Sequence, residues 1–423
     1  MKSKLLLAVI LALALALPPG HAAAQATVVA SVPVGFGPRA VATNPSTNHI
    51  YVSNTPDHSV SVIDGAMNTV VDTIAVGDRP FGVGVNPTTN RIYAANYGDD
   101  TVSVIDGATN TVLDTVAVGA SPDGVAVNPT TDRVYVANAG SDDVSVIDGA
   151  TNAVTVTVPV GNQPEGVAVN PTTNRVYVTN NASNDVSVID GTTNAVVTTI
   201  PVGEQPRGVA ANPATNRIYV AESIGGSVAV IDGATNAVVA TVPVGLNPRG
   251  VAVNPTTNRA YVTHDGPAVS VIDGATNTVL ETVTVGEDPL GAAANPNTNR
   301  IYVADYMDDA VTVIEDLPGE PPPEDGGEPP PPGDTEDVPL QGGVCNPISS
   351  TYPDGTDIDT IADAVNPPDL LESLWEFEGG VWLGYSPEFP AASDLTEKDF
   401  LDVVFICVGG SGPGAATFTR PTV

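Results

Sequence analysis

The sequence predicts an all-β chain whose main body is a seven-bladed propeller, and three observations carry that prediction. A unit of near-constant length recurs seven times. Its Asn-Pro turn begins at Asn44, Asn86, Asn128, Asn170, Asn212, Asn254 and Asn295, so five steps are 42 residues and one is 41. A fixed period of that size marks a repeat architecture. Each unit also holds four short runs rich in Val, Ile, Thr and Tyr, as in EGVAV, RVYVTN, DVSVID and AVVTTIPVG within 165–203, separated by turn compositions. Finally, the seventh unit stops after its third run, and ATVVASVPVG at 26–35 has the character of the missing fourth.

Four strands and three tight turns make one antiparallel sheet. These strands are apolar on both faces, so each sheet must be covered on both. A radial stack of sheets does this and leaves few exposed edges. A β-solenoid is the alternative, but its repeat is shorter per strand and requires no closed number. The complementary ends favour the ring, with 26–35 as the outermost strand of blade 7.

Tyr177-Val178-Thr179-Asn180, with Val188-Ile189-Asp190-Gly191 downstream, resembles the YVTN-repeat (surface-layer-type) propellers. The likeness spans 26–315. It implies a seven-bladed, secreted or periplasmic propeller of a family mostly without a defined function. The repeat departs from its own pattern at Ala94-Ala95, Glu222, His264 and Asp305.

Outside the propeller the chain reads in order. Residues 1–24 have the form of a signal peptide: Lys2 and Lys4, an apolar run, and a small-residue cleavage site near Ala24. That run is too short for a membrane span, and no later stretch is long and apolar enough. Residues 316–337 are a linker of prolines, glycines and acids, extended at roughly 3.1 Å per residue. Residues 338–423 form a small, mostly β domain, with one helix expected near 367–374. It holds both tryptophans, and Cys345 and Cys407 are the only cysteines in the chain. In an exported module such a pair reads as a disulfide, stabilising by about 4 kcal/mol on the chain-entropy account.

Formal net charge is −35, and becomes two units more negative once Lys2 and Lys4 leave. That excludes nucleic acid, whose phosphates need Lys and Arg, and argues against anionic membranes. Solubility, cation binding or a salty medium are the readings left open.

Recurrence separates scaffold from site. Asp64, Asp106, Asp148, Asp190, Asp232 and Asp273 each precede Gly and read as turn carboxylates accepting backbone N–H groups; a ring of metal ligands is the alternative. Arg91, Arg133, Arg175, Arg217, Arg259 and Arg300 recur after the Asn-Pro turn and read as partners of neighbouring-blade carbonyls or acids. Tyr51, Tyr93, Tyr135, Tyr177, Tyr219, Tyr261 and Tyr302 read as packing between blades.

His58 and His264 fall roughly 19 Å apart in a ring built on strand spacings of about 4.8 Å, too far to share one metal. His49 falls on the opposite face. No Ser-His-Asp set, cysteine nucleophile or haem-attachment motif is legible. The chain is therefore read as not an enzyme and without a cofactor. A propeller enzyme of lactonase or carboxylate-hydrolase type and a purely structural envelope component are the alternatives. Asp99, Asp100, Asp308 and Asp309 are weak calcium candidates beside their plainer reading as turn acids. Asn181-Ala182-Ser183 is a glycosylation triplet.

The function read from the sequence is binding. Loops such as TPDHS, NYGDD and ESIGGS change from blade to blade on one face, while the turns of the other face hardly change. A rigid scaffold with varied loops is a binding design. The residue after each incoming proline begins the innermost strand, which gathers Arg39, Phe81, Asp123, Glu165, Arg207, Arg249 and Leu290 at the mouth of the pore. Arg207 and Arg249 are the expected anchors for an anionic group. The partner is read as a protein, a glycan or a small polar ligand, and the chain as a secreted or cell-surface monomer, with the periplasm as the alternative compartment.

Overall fold

A computed structural model describes residues 26–317, together with seven strands of the C-terminal region. Residues 26–317 form seven four-stranded antiparallel sheets. Blade 1 runs through Pro38–Asn44, His49–Asn54, Ser59–Asp64 and Thr69–Ala75, from the axis outward. Five further blades repeat that order. Blade 7 supplies Pro289–Asn295, Arg300–Asp305 and Ala310–Asp316, and its outer strand is Ala26–Pro33 from the other end of the chain. Ala26 faces Asp316 and Pro33 faces Ala310, with a bulge between Val28 and Ala30. The ring is thus closed by pairing its two ends.

The core lies between blades. Tyr135, Val144 and Val146 of blade 3 pack against Val176, Val178 and Ile189 of blade 4, and the same cluster recurs around the ring. All seven tyrosines of the repeat are fully buried. The hydroxyls of Tyr177 and Tyr219 reach the Asp-Gly turn of the next blade. A Cβ on Gly233 would lie 2.9 Å from the Tyr177 hydroxyl, and one on Gly274 would lie 2.7 Å from that of Tyr219. The aspartate before each such glycine works as a turn acceptor. Asp148 Oδ1 takes the N–H groups of Ala150 at 3.1 Å and Thr151 at 2.9 Å. Such backbone donors hold Asp64, Asp148 and Asp190 below the ordinary carboxylate range.

The arginine row divides. Arg91 donates to Gly149 O of the next blade at 2.6 Å, Arg300 likewise to Gly65 O at 2.6 Å, and Arg133 to Gly191 O. Arg175 and Arg217 instead pair within their own blades, with Asp190 and Asp232. Arg259 meets Asp316 at 2.9 Å. Asp316, read above as the first linker residue, belongs to the propeller. It is fully buried, and accepts from Asn254 at 2.7 Å and from Thr257. Its acidic neighbours in sequence disguise it as linker, although burial beside an arginine is what gives it a place.

The chain divides into two compact units, Met1–Pro321 and Pro322–Val423. In the second, Cys345–Ser349, Val403–Val408, Leu371–Glu378 and Val381–Tyr385 form one antiparallel sheet in that order. Three short strands, Asp337–Leu340, Ala416–Thr419 and Val365–Asn366, form another. The helix expected near 367–374 is not there over 371–374, which are strand, and 367–370 lie outside the described residues. Leu371–Glu378 is instead paired as a strand with both Val381–Tyr385 and Val403–Val408, and such tertiary pairing overrides a local helix preference. Cys345 stands directly opposite Cys407 in the register. The proposed signal peptide and most of the linker lie outside the described residues. No helix among the described residues is long and apolar enough to cross a membrane.

Candidate functional site: the mouth of the central pore

In six blades the inner strand breaks register just after its proline. Pro164 faces Asn180, yet Val167 faces Val178, and the same shift recurs in blades 1, 2, 3, 5 and 7. The bulge holds two residues against one and re-aims a side chain. Those two are the mouth residue and a small neighbour, as in Glu165-Gly166. Blade 6 differs. Its inner strand is only Val251–Asn254, and Arg249 N donates to Thr263 O at 2.9 Å.

The small neighbour is needed because the inner strands almost touch. A Cβ on Gly124 would lie 2.3 Å from Glu165 O, one on Gly166 2.3 Å from Arg207 O, and one on Gly208 2.2 Å from Arg249 O. The series continues across the seam, where a Cβ on Gly291 would lie 2.6 Å from Arg39 O. The third letter of the YVTN motif bridges the same gap. Thr179 Oγ1 donates to Arg207 O at 2.5 Å, and Thr263 Oγ1 donates to Leu290 O at 2.6 Å. Sequence reasoning missed these roles, although glycine recurring after the mouth position was a visible signal.

One cavity of about 670 Å³ occupies the mouth. All seven expected residues line it: Arg39, Phe81, Asp123, Glu165, Arg207, Arg249 and Leu290. Arg79, Asp288 and Tyr306 line it too, and were not anticipated. The charges interleave. Arg39 Nη2 lies 3.5 Å from Asp123 Oδ2, and Arg207 Nε lies 3.9 Å from Glu165 Oε2. Arg249 is held far more tightly, by Asp288 at 2.7 Å and Asp265 at 3.0 Å. The Arg39 guanidinium sits 3.6 Å over the Phe81 ring, and Phe81 stacks on Tyr97 at 4.2 Å. Arg79 lies 5.2 Å over Tyr97. Burial pushes Glu165 up to about 7, reinforced by Asp123 and opposed by Arg207 and Arg39. Burial raises Asp123 as well, against the pull of Arg39 and Arg207. Burial thus draws both acids toward neutrality, and Glu165 sheds part of its negative charge near pH 7.

Below the mouth runs a second layer, the last letter of the motif. Asn96 Nδ2 donates to Thr101 at 3.0 Å and Ser103 at 2.9 Å, while its Oδ1 accepts from Gly77 N at 3.1 Å. The departures Glu222, His264 and Asp305 occupy this same buried position on blades 5, 6 and 7. Glu222 accepts from Gly203 N at 2.7 Å as Asn96 does from Gly77 N, while the hydroxyl bond is reversed, Ser227 donating to it at 2.5 Å. Asp305 accepts from Thr312 at 2.6 Å. Burial raises Asp305 to about 6 from 3.8. The folded chain therefore favours its protonated form, and this group's contribution to stability falls as pH rises from about 3.8 to about 6.

The varied loops of this face are less free than their letters imply. Asp99 Oδ2 accepts from Asp78 N at 2.6 Å within its own blade, and Asp100 Oδ1 accepts from Ser121 N of the next blade at 2.7 Å. Asp308 and Asp309 act alike on Glu287 N at 2.8 Å and Gly37 N at 2.9 Å. All four weak calcium candidates are thus engaged as loop acceptors. Among the described residues no group of three or more His, Cys, Asp or Glu is placed to hold a metal. Asn181 of the glycosylation triplet is buried, and its amide lies 3.5 Å from Pro206 O.

Residues 86–173 match the family profile of the YNCE-like beta-propeller. That match covers about two of the seven repeats, and it agrees with the seven four-stranded blades and the repeated motif. The chain carries a seven-bladed propeller of the YVTN type. No curated protein matches it. Among solved structures the YVTN propeller is similar to a chain of the Kuenenia stuttgartiensis hydrazine synthase, at 23% identity and a TM-score of 0.61, covering 67% of this chain and 96% of that one. At that identity the likeness shows the fold alone. It nevertheless corrects the expectation that the chain is not an enzyme, because the same architecture occurs within an enzyme. That expectation rested on the lack of His, Cys and Ser sets and left carboxylate chemistry only as the alternative. The YVTN propeller instead gathers two carboxyls of raised pKa, Asp123 and Glu165, in one cavity, and groups of that kind are compatible with acid–base chemistry.

Proposed function

We propose that this YVTN propeller is an exported binding scaffold that takes a small polar ligand at the mouth of its pore, acting from the secreted, cell-surface or periplasmic side. One observation carries the reading. Residues 26–317 contain ten arginines and no lysine. Six are the arginines of the repeat. The other four, Arg39, Arg79, Arg207 and Arg249, all line the same cavity. In a chain of net charge −35, cations that serve no repeat position converge where a ligand would be held.

Thermal shift of the full exported chain against small carboxylates, amino acids and oligosaccharides tests this. A ligand at a hundred times its Kd stabilises by about 2.7 kcal/mol, which raises the midpoint by several degrees. The shift is expected to vanish in a folded Arg39→Ala/Arg207→Ala double variant. A shift that survives in that variant moves binding elsewhere and ends the reading. Export and the Cys345–Cys407 bridge are part of the same proposal, the bridge being supported by the direct opposition of the two cysteines in the register. Intact mass of the exported chain is expected to show a start near residue 25 and no free thiol. A retained leader argues against export, and two free thiols in the folded chain remove the bridge.

A further inference from the structure

The four arginines of the mouth are not equivalent. Arg249 has both terminal nitrogens committed, to Asp288 at 2.7 Å and Asp265 at 3.0 Å. It therefore secures the shortened inner strand of blade 6 and is no longer the expected anchor. Arg79 stands half-exposed at the rim, 3.7 Å from Asp78. Arg39 and Arg207 differ from both. Their side chains are 35% and 37% exposed to the cavity, and their acidic partners stand off at 3.5 and 3.9 Å. Nε is buried without a hydrogen bond in both Arg207 and Arg249, so the terminal nitrogens make the difference. Arg39 is set in one orientation by Phe81, which Tyr97 backs in turn. Blades 1 and 5 lie on roughly opposite walls of a seven-fold ring. The Arg39 side chain leans over Phe81 to Asp123 of blade 3, and Arg207 leans toward Glu165 of blade 4 next to it, so two planar forks, each short of a close acceptor, converge on one part of the cavity.

We infer that the ligand of this mouth is a small diacid that bridges Arg39 and Arg207, one carboxylate on each guanidinium. A guanidinium fork matches a carboxylate in two parallel hydrogen bonds, which neither Asp123 nor Glu165 supplies from where it stands. The inference rests on the mouth being the binding site. The charged groups between and around the forks are Asp123, Glu165 and Asp288, with Arg79 and Arg249 beyond them. A dianion placed among these acids favours their protonated forms. Glu165, already near 7, takes up a proton on binding. Affinity is therefore highest below pH 7 and falls as pH rises above it.

Isothermal titration of the full mature chain decides the matter, with the unbranched α,ω-dicarboxylates from succinate to pimelate and the monocarboxylates of equal length as probes. One diacid length is expected to bind best, and its monoacid counterpart about tenfold more weakly, the loss expected for one charge-assisted contact. Arg39→Gln and Arg207→Gln are each expected to cut diacid affinity about tenfold, to the monoacid level. These near-isosteric changes keep the measurement valid should alanine disturb the fold. Affinity for the best diacid is expected to fall several-fold between pH 7 and pH 8, and Glu165→Gln, which mimics the protonated side chain, to flatten that slope. Monoacids that bind as well as diacids, or a diacid indifferent to both arginine variants, overturn the proposal. So does a series in which nothing binds. If a neutral ligand then binds and responds to the arginine variants, the mouth survives as a site and only its diacid assignment falls. If every ligand ignores them, both fall.

Discussion

Deleting residues 26–33 should lower the thermal midpoint of the propeller by at least about 10 °C and drive it to associate. The strand is modest by burial, since only Ala26 and Val32 are buried within it. Its effect comes from what it covers. It pairs with Ala310–Asp316 along the whole length of that strand, and Val34 N donates to Asp309 O at 2.9 Å. Ala26 N is anchored on Glu281 of blade 6 at 2.7 Å. Removing the strand leaves a ladder of backbone groups unpaired and uncovers Val311 and Val313, both fully buried. At about 1 kcal/mol per hydrogen bond and about 25 cal/mol per Å² of exposed apolar surface, the loss is on the order of 5 kcal/mol. For a body of this size each kcal/mol moves the midpoint by about 2–4 °C. The new edge is flat and apolar, a template for a second chain. Calorimetry together with light scattering reads both effects. A truncated chain that stays monomeric with its midpoint unchanged would show that the ring does not depend on its seam.

Gly124→Ala should cost about 3 kcal/mol, a fall of roughly 6–12 °C in the midpoint. The added carbon would sit 2.3 Å from Glu165 O and 3.1 Å from Val167 N. Both are backbone atoms of the next inner strand, so no side chain can swing aside. The neighbouring strand is itself pressed against its own neighbour by the same contact at Gly166, so relief by a shift in one blade is passed around the ring. Gly225→Ala is the control, because its nearest atom would be the Ser227 hydroxyl at 3.1 Å, and it should change the midpoint little. Equal midpoints for the two variants would show that the inner strands have slack that their spacing denies.

The blade count, the strand order and the seam were legible in the letters, because period, turn composition and complementary ends are all one-dimensional signals. So was the gathering of Arg39, Phe81, Asp123, Glu165, Arg207, Arg249 and Leu290, which needs only the position of a proline and the direction of the chain. What stayed hidden depends on distances between strands remote in sequence. The bulge that turns Glu165 inward and the carbonyl that excludes a side chain at Gly166 are of this kind. So is the pairing of Arg249 with Asp265 and Asp288, which consumes an arginine that its letter alone leaves available. The loops misled for a different reason. Asp100, Asp142 and Asn184 each accept the N–H of the next blade's incoming loop, at 2.7, 2.8 and 2.9 Å. His58 does the same for Arg79 N at 3.0 Å. Different letters perform one task, so variation in sequence overstated variation in role.

The pairing of Ala26 with Asp316 also has a mechanical meaning. The two strands of the seam run antiparallel, so the outward-leading ends of both lie at the same end of the ladder. Tension applied between those ends would open the seam one hydrogen bond at a time, as a zip is drawn, rather than shearing all of them together. A pull on the two ends therefore loads the one line that joins them before any other. A tether that grips only the C-terminal side leaves the N-terminal strand slack, and the seam unloaded.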